Sequence, residues 1–357
     1  MEKVRVIHEY IVKNIRYSSI PFRQSGIVPQ KASKVINTKI GDCKDVSTLF
    51  VAMCKEAGIN DVQLVLINTR DNGRKDQLLP NINFNHCIAK LTHEGKPYYI
   101  ELTSDKLSLQ TYGYNLKNAF GLEIYENLEG KAVKPIYVNS PTRVSDDIIR
   151  NSNVKINGRE VSVSIKTVKR GAPAAGSRYN YADISEEERR KELLAVLSKE
   201  FPSVKVSKFE FNETLKSLTD SVDYISEYTL QNHVTSIGGL NVFTLPWSDA
   251  NKSIGAMSND DRKFPLDIWK MSNLDKEVET MTIELPAGKV LAEAPKNIKY
   301  SCGAASYELT FKVTGNKITV TRTYIQKQDV ISLEEFDEFK KFYEKVVEAD
   351  TKQFAFK

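Results

Sequence analysis

The sequence is poor in the residues from which metal sites and disulfide frameworks are built. Only four of its 357 residues are cysteines, and only four are histidines. The cysteines form no CxxC pair, which argues against a thiolate metal site and against a dense disulfide framework. No apolar run reaches the roughly 18 residues that a membrane-spanning helix needs, so no membrane span is expected. We therefore expect no metal and no organic cofactor.

Charge is spread evenly along the chain. The formal net charge is +5, with 27% charged and 41% hydrophobic residues, and no long basic run occurs. Because nucleic-acid binding favours a clustered basic surface, this pattern argues against a nucleic-acid partner. At about 100–200 residues per domain, the length predicts two domains.

The first part of the chain, residues 1–140, reads as an α+β domain. Apolar residues at three-to-four spacing predict a helix over residues 3–15 and a stronger one from Cys43 to Ala57. Three apolar runs follow, over residues 62–68, 86–91 and 96–102, and they predict antiparallel strands packed against the second helix. Residues 104–140 read as irregular.

The second part, residues 141–357, is rich in predicted strands. Several of these strands alternate apolar and polar residues, as strands do when one face is buried. Helices are predicted over residues 185–200 and 332–347, each with a capping-box pattern at its start. The pattern predicts a β-sandwich-like domain with edge helices.

Cys43 is the first candidate catalytic residue, because it follows Gly41 and Asp42 at the start of the stronger helix. A helix N-terminus favours the thiolate, which is the nucleophilic form of cysteine. The Cys43 N–H has no helical partner and is free to bind an oxyanion. Gly41 would allow a tight turn and leave room for a substrate. Taken alone the pattern is weak, since many cysteines begin helices.

His86 is the second candidate, because it is the only histidine that enters a predicted core strand directly from a loop. His8 lies inside the first helix, His93 in a turn, and His233 in the other domain. A residue at a strand start fits the rim of a cleft, although structural histidines are also found there.

Glu101 is the third candidate, at the end of the next predicted strand. If the hairpin turns near Gly95, Glu101 returns to the level of His86 on the neighbouring strand. A carboxylate there could accept the Nδ1–H of His86 and hold the ring in place. The alternative is a surface glutamate on an edge strand.

The three positions, taken in order, resemble the transglutaminase-like superfamily, especially its bacterial members. That family has a GDC-type helix start, then Asn-His at a strand start, then an aromatic-rich strand that ends in Asp-Pro-Thr or similar. The resemblance covers about residues 1–125. The matching segments are Asn14-Ile15-Arg16-Tyr17, residues 29–40, Gly41-Asp42-Cys43-Lys44-Asp45, Asn85-His86 and Ile100-Glu101-Leu102-Thr103.

The resemblance implies a papain-like fold with a catalytic triad of Cys43, His86 and Glu101. It implies a thiol-dependent amide hydrolase or acyl transferase, of the cysteine peptidase or transglutaminase-like type, acting on a protein or peptide. The β-rich part looks like the C-terminal domain of similar Bacteroidetes-type proteins. Those relatives often carry a further N-terminal domain and a signal peptide. Neither is seen here, so we expect an N-terminally truncated chain of periplasmic or cell-envelope origin.

Two positions depart from the family pattern. Glu101 stands where the family usually has aspartate, and Lys44 stands where animal transglutaminases carry an aromatic residue. The second departure argues against protein crosslinking and leaves hydrolysis or another acyl transfer open. Gln24, in the loop before the helix, is a speculative second oxyanion donor.

Two other functions remain open from the sequence. The chain could be a catalytically degenerate binding or scaffold protein of the cell envelope, which the change at Glu101 favours and the retention of Cys43 and His86 disfavours. It could also be a small-molecule acyltransferase of the arylamine type, although such enzymes usually lack this β-rich domain.

Overall fold

Contacts within the chain define two compact units in the computed structural model. The structure describes residues 1–19, 28–72, 84–125, 133–259, 261–272 and 274–357. The first unit comprises residues 1–144 together with 217–220, and the second comprises residues 145–216 and 221–357.

The first unit contains three helices and seven strands among its described residues. The helices are α1 (Glu2–Asn14), α2 (Ala32–Thr38) and α3 (Cys43–Glu56). The strands are β1 (Arg16–Tyr17), β2 (Ile40–Gly41), β3 (Val62–Asn68), β4 (His86–His93), β5 (Lys96–Ile100), β6 (Phe120–Ile124) and β7 (Val133–Tyr137).

Five of these strands form one antiparallel sheet in the order β5-β4-β3-β6-β7, and β1 and β2 form a short parallel pair. Helix α3 packs on the sheet through a core that includes Val46, Phe50, Ala89 and Leu91. The α+β class predicted from the sequence is confirmed. Strands β6 and β7 correct the expectation that the segment after residue 104 is irregular.

The second unit is built mostly from strands. Its helices are α4 (Ala172–Tyr181), α5 (Glu186–Leu197) and α6 (Phe336–Asp350). Its strands are β8 (Asp147–Asn157), β9 (Glu160–Arg170), β10 (Val204–Phe211), β11 (Ser221–Leu230), β12 (Thr235–Ile237), β13 (Leu240–Thr244), β14 (Leu266–Asp267), β15 (Lys276–Glu284), β16 (Ile298–Ser301), β17 (Ala305–Thr314), β18 (Lys317–Gln326), β19 (Val330–Ile331) and β20 (Gln353–Phe356).

An eight-stranded sheet dominates this unit, in the order β10-β11-β9-β8-β15-β18-β17-β16. Its two central strands, β8 and β15, run parallel to each other, whereas all other pairs of adjacent strands in the sheet are antiparallel. One core joins sheet residues such as Val163, Met281 and Val320 to Phe339 of α6 and Phe243 of the three-stranded sheet β12-β13-β20. The predicted sandwich is therefore unequal: the eight-stranded sheet shares its core with a helix and a sheet of only three strands.

No helix within the described ranges is both long and apolar enough to cross a membrane.

Buried charges join the central strands of the large sheet to α6. Arg322 of β18 donates to Asp350 at 2.9 Å and to Glu277 of β15 at 3.2 Å. Arg150 of β8 also donates to Glu277, and Glu279 lies 3.7 Å from Arg322. Both arginine side chains are less than 10% exposed, at 6% and 3%. Burying these charges is tolerated because each one faces charges of the opposite sign.

We expect Arg322→Met to destabilise the second unit by about 3–5 kcal/mol, because Asp350 and Glu279 would lose a buried counter-charge. Urea unfolding at pH 7 measures the effect. The control is Lys191→Met, which removes an ion pair with Glu187 whose side chains are 69% and 70% exposed. Equal midpoints for the two variants would show that the buried network does not stabilise the fold.

Candidate active site

A reciprocal capping box begins helix α3 and fixes Cys43 as its first residue. The Asp45 N–H donates to Asp42 Oδ1 at 3.3 Å, and the Asp42 N–H donates to Asp45 Oδ2 at 3.1 Å. The Asp45 carboxylate also accepts two hydrogen bonds from Gln30, at 2.7 and 2.8 Å. Within the described part of the chain, nothing accepts a hydrogen bond from the Cys43 N–H. That donor is therefore free, as first-turn donors usually are.

Gly41 and Lys44 support this helix start in ways that the sequence did not reveal. A Cβ on Gly41 would lie 2.9 Å from Asp45 Cβ and 3.3 Å from Val35 Cγ1. Glycine is therefore required by the close approach of the capping residue, rather than by the tight turn that was expected. The Lys44 side chain is only 4% exposed and forms an ion pair with Asp42. Lys44 thus holds the N-cap carboxylate.

His86 begins β4 and lies beside the helix start. The β3–β4 pairing ends at Ile67 and His86. The Ser47 hydroxyl of α3 donates to the Cys87 carbonyl at 3.1 Å and so ties the helix to β4 next to His86. Cys43 lies near enough to His86 to raise the pKa of its imidazole. The structure therefore brings together two residues that are far apart in the sequence.

Glu101 lies on the other side of His86, and both of its oxygens are occupied. Glu101 Oε2 is 2.8 Å from His86 Nε2. Glu101 Oε1 accepts from the Leu102 N–H at 2.9 Å, the Thr103 N–H at 2.9 Å and the Thr103 hydroxyl at 2.7 Å. The contact to Nε2 corrects the expected contact to Nδ1. Because Nε2 faces Glu101, Nδ1 is the ring nitrogen that remains available to Cys43.

The strand register gives a physical reason for glutamate at this position. The β4–β5 pairing ends at Ala89 and Ile100. One further step would place Glu101 beside Ile88, two residues from His86 on the same face of the sheet. Such diagonal neighbours are within reach of long side chains. The additional methylene of glutamate therefore helps its carboxylate to reach His86.

His8 of α1 lies behind Glu101 and was not assigned to the site from the sequence. It is 1% exposed. Its Nε2–H donates to the Glu101 carbonyl at 3.2 Å, and its Nδ1 has no partner among the described residues. Burial lowers the pKa of His8, so the ring is neutral. No sequence signal reveals this contact, because it joins the first helix to the end of β5.

Opposing effects set the charges of His86 and Glu101. Burial alone would lower the pKa of His86, but the Glu101 charge and the hydrogen bonds to Cys43 and Glu101 raise it to about 10. Burial would likewise raise the pKa of Glu101, yet His86 and the hydrogen bonds from Thr103 lower it to about 2. At neutral pH the two groups form an imidazolium–carboxylate pair, with the proton on His86.

The other polar residues singled out in the sequence lie elsewhere. His93 ends β4 with a 43% exposed side chain. His233, in the second unit, donates to the Thr244 carbonyl at 2.9 Å. Gln24 lies outside the described residues. Among the residues that are described, no group of three or more histidine, cysteine, aspartate or glutamate side chains is arranged to hold a metal ion.

Two family models match separate parts of the chain. Residues 1–95 match the model of the transglutaminase-like superfamily. Residues 241–356 match the model of a domain of unknown function, DUF3858. The resemblance drawn from the sequence is thereby confirmed. No curated protein matches the chain.

A solved structure shares the fold. It is the crystal structure of a proposed protease from Parabacteroides distasonis ATCC 8503, with 15% sequence identity and a TM-score of 0.57. The match covers 99% of this chain and 51% of that one. The chain therefore spans about half the length of that protein. At this identity the likeness establishes the fold alone.

We expect Glu101→Gln to lower the pKa of His86 by about one to three pH units, because the charge that stabilises the imidazolium is lost. As pH rises, the variant should therefore lose the His86 proton earlier than the wild type does. Titration of the histidine ring signals by NMR measures this. The control is Glu94→Gln, which removes an exposed carboxylate 3.9 Å from His93. Identical His86 titrations in the wild type and Glu101→Gln would contradict the assignment of Glu101.

Proposed function

We propose that this protein is a thiol-dependent amide hydrolase or acyl transferase, because residues 1–95 match the model of the transglutaminase-like superfamily. Cys43 is the nucleophile, His86 carries the proton, and Glu101 orients His86 and stabilises its charge. The observation that carries the proposal is the position of His86, which lies 2.8 Å from Glu101 Oε2 and begins the strand that Ser47 ties to the helix starting at Cys43.

The arrangement supports a two-step acyl transfer. The Cys43 thiolate attacks the amide carbonyl, and the proton that His86 already carries passes to the amine nitrogen as the C–N bond breaks. A thioester remains on Cys43. Water or an amine then attacks the thioester, His86 takes the proton of the attacking group, and the sulfur leaves as thiolate. Both steps use only protein groups and the substrates.

The substrate in this proposal is a protein or peptide. Lys44 replaces the aromatic residue of animal transglutaminases, and its buried ion pair with Asp42 shows that the position serves the helix start. This argues against crosslinking and leaves hydrolysis or another acyl transfer open. The resemblance drawn from the sequence adds a periplasmic or cell-envelope location to the proposal.

A degenerate scaffold is the main alternative. The change from aspartate to glutamate was its best support in the sequence. However, the Glu101 carboxylate accepts four hydrogen-bond contacts, one of them from His86. A glutamate held in this way argues for a retained role, and so favours the enzyme.

Labelling with a peptide amide analogue that carries a thiol-reactive group tests the proposal. We expect one adduct, on Cys43, that is abolished by Cys43→Ala and retained in Cys302→Ala. Casein incubated with a biotinylated amine then separates the two outcomes: new peptide ends indicate hydrolysis, and incorporated biotin indicates transfer. A correctly folded protein that shows no adduct and neither product would favour the scaffold.

We also expect iodoacetamide at pH 6 to alkylate Cys43 before the other three cysteines. Burial raises the pKa of Cys54 to about 11 and also raises that of Cys87, so both are unreactive thiols. Cys302 is more exposed than Cys43 but has no paired histidine. Mass mapping of the time course measures the order. Faster labelling of Cys302 would show that exposure, not activation by His86, controls reactivity.

A further inference from the structure

An oxyanion forms when a thiolate attacks an amide, and the start of helix α3 offers one donor for it. The free Cys43 N–H supplies that donor. Acyl-transfer enzymes place a further donor at the same point, and the pair stabilises the developing charge. The position that was expected from the sequence, Gln24, lies outside the described residues.

Tyr17 is tied to the segment that leads into Cys43. Strands β1 and β2 run parallel and pair Tyr17 with Gly41. On either side of this pair, the Ser18 N–H donates to the Gly41 carbonyl at 2.9 Å, and the Arg16 N–H donates to the Lys39 carbonyl at 2.8 Å. These bonds hold the Tyr17 backbone beside the residue that stands two positions before the nucleophile.

The Tyr17 phenol lies in the electric field of the candidate site, and the residue is partly exposed. Its ionisation is influenced by Cys43, Glu101 and Asp42. Burial, followed by the charge on Cys43, raises the pKa of Tyr17 to about 12, while a hydrogen bond to Ser19 acts in the opposite direction. The phenol therefore keeps its proton at neutral pH. The residue is 37% exposed, so a substrate carbonyl can reach it.

We propose that the Tyr17 hydroxyl is the second hydrogen-bond donor of the oxyanion hole, acting together with the Cys43 N–H. This inference rests on the proposed function, because it concerns the tetrahedral intermediate of that reaction. As the sulfur–carbon bond forms, the carbonyl π electrons move to oxygen, and both donors bind that oxygen. When the C–N bond breaks, the carbonyl reforms and the donors release it. Tyr17 keeps its proton throughout.

Two small electrophiles that both react with Cys43 test the proposal. Acylation of Cys43 by p-nitrophenyl acetate passes through a tetrahedral oxyanion, whereas alkylation by iodoacetamide does not. In Tyr17→Phe we expect the acylation rate to fall at least about tenfold, since loss of one oxyanion donor costs about 10²–10³ in kcat. The alkylation rate should stay within about twofold of the wild-type rate, because the Cys43–His86 pair is untouched.

Tyr10→Phe is the matched control, since the Tyr10 hydroxyl accepts a hydrogen bond from Lys39 at 2.6 Å and has no assigned role in the site. Both of its rates should equal those of the wild type. Circular dichroism checks that each variant is folded.

Three results would overturn the Tyr17 assignment, and they are distinguishable. Unchanged acylation in Tyr17→Phe would show that the phenol does not stabilise the oxyanion. An equal loss of acylation and alkylation would show that Tyr17 acts on the thiol or on His86. A wild-type Cys43 that is alkylated but not acylated would refute the proposed function itself, and the oxyanion hole with it.

Discussion

The Glu101 carboxylate connects parts of the candidate site that are distant in the sequence. One oxygen binds His86, and the other is held by Leu102 and Thr103. The carbonyl of the same residue accepts from His8 of the first helix. Because Glu101 is held through both its backbone and its side chain, the direction in which it faces His86 is set before any substrate binds. Preorganisation of this kind reduces the rearrangement that a reaction requires.

Charges are buried in both units, and in each unit they are paired. The first unit buries the pair of His86 and Glu101 and the pair of Lys44 and Asp42. The second unit buries the network around Arg322. The physical constraint is the same, since an unpaired charge away from water costs several kcal/mol or changes its protonation. The consequences differ: in the first unit the pairing places a proton on His86, the residue near Cys43, whereas in the second unit it joins strands and a helix.

Local sequence patterns predicted the elements that have strong periodicity. The helix that begins at Cys43, the hairpin that carries His86, and most strands of the second part were expected from apolar spacing and turn residues. Strands β6 and β7 were missed, because each has only five residues and forms its sheet hydrogen bonds with another strand, β6 with β3 and β7 with β6. The parallel pairing of β8 with β15 was equally invisible, since it joins segments more than a hundred residues apart.

For the candidate site, the sequence by itself determined the three residue types and their order. A cysteine at a helix start, a histidine at a strand start and an acid on the next strand follow from local patterns and from the resemblance to a family. Only the tertiary structure decided that Glu101 meets Nε2 of His86, that Lys44 is buried, and that His8 and Tyr17 adjoin the site. The reason is physical: periodicity reports which face of an element is buried, whereas the atoms that meet depend on strand register and side-chain reach between distant segments.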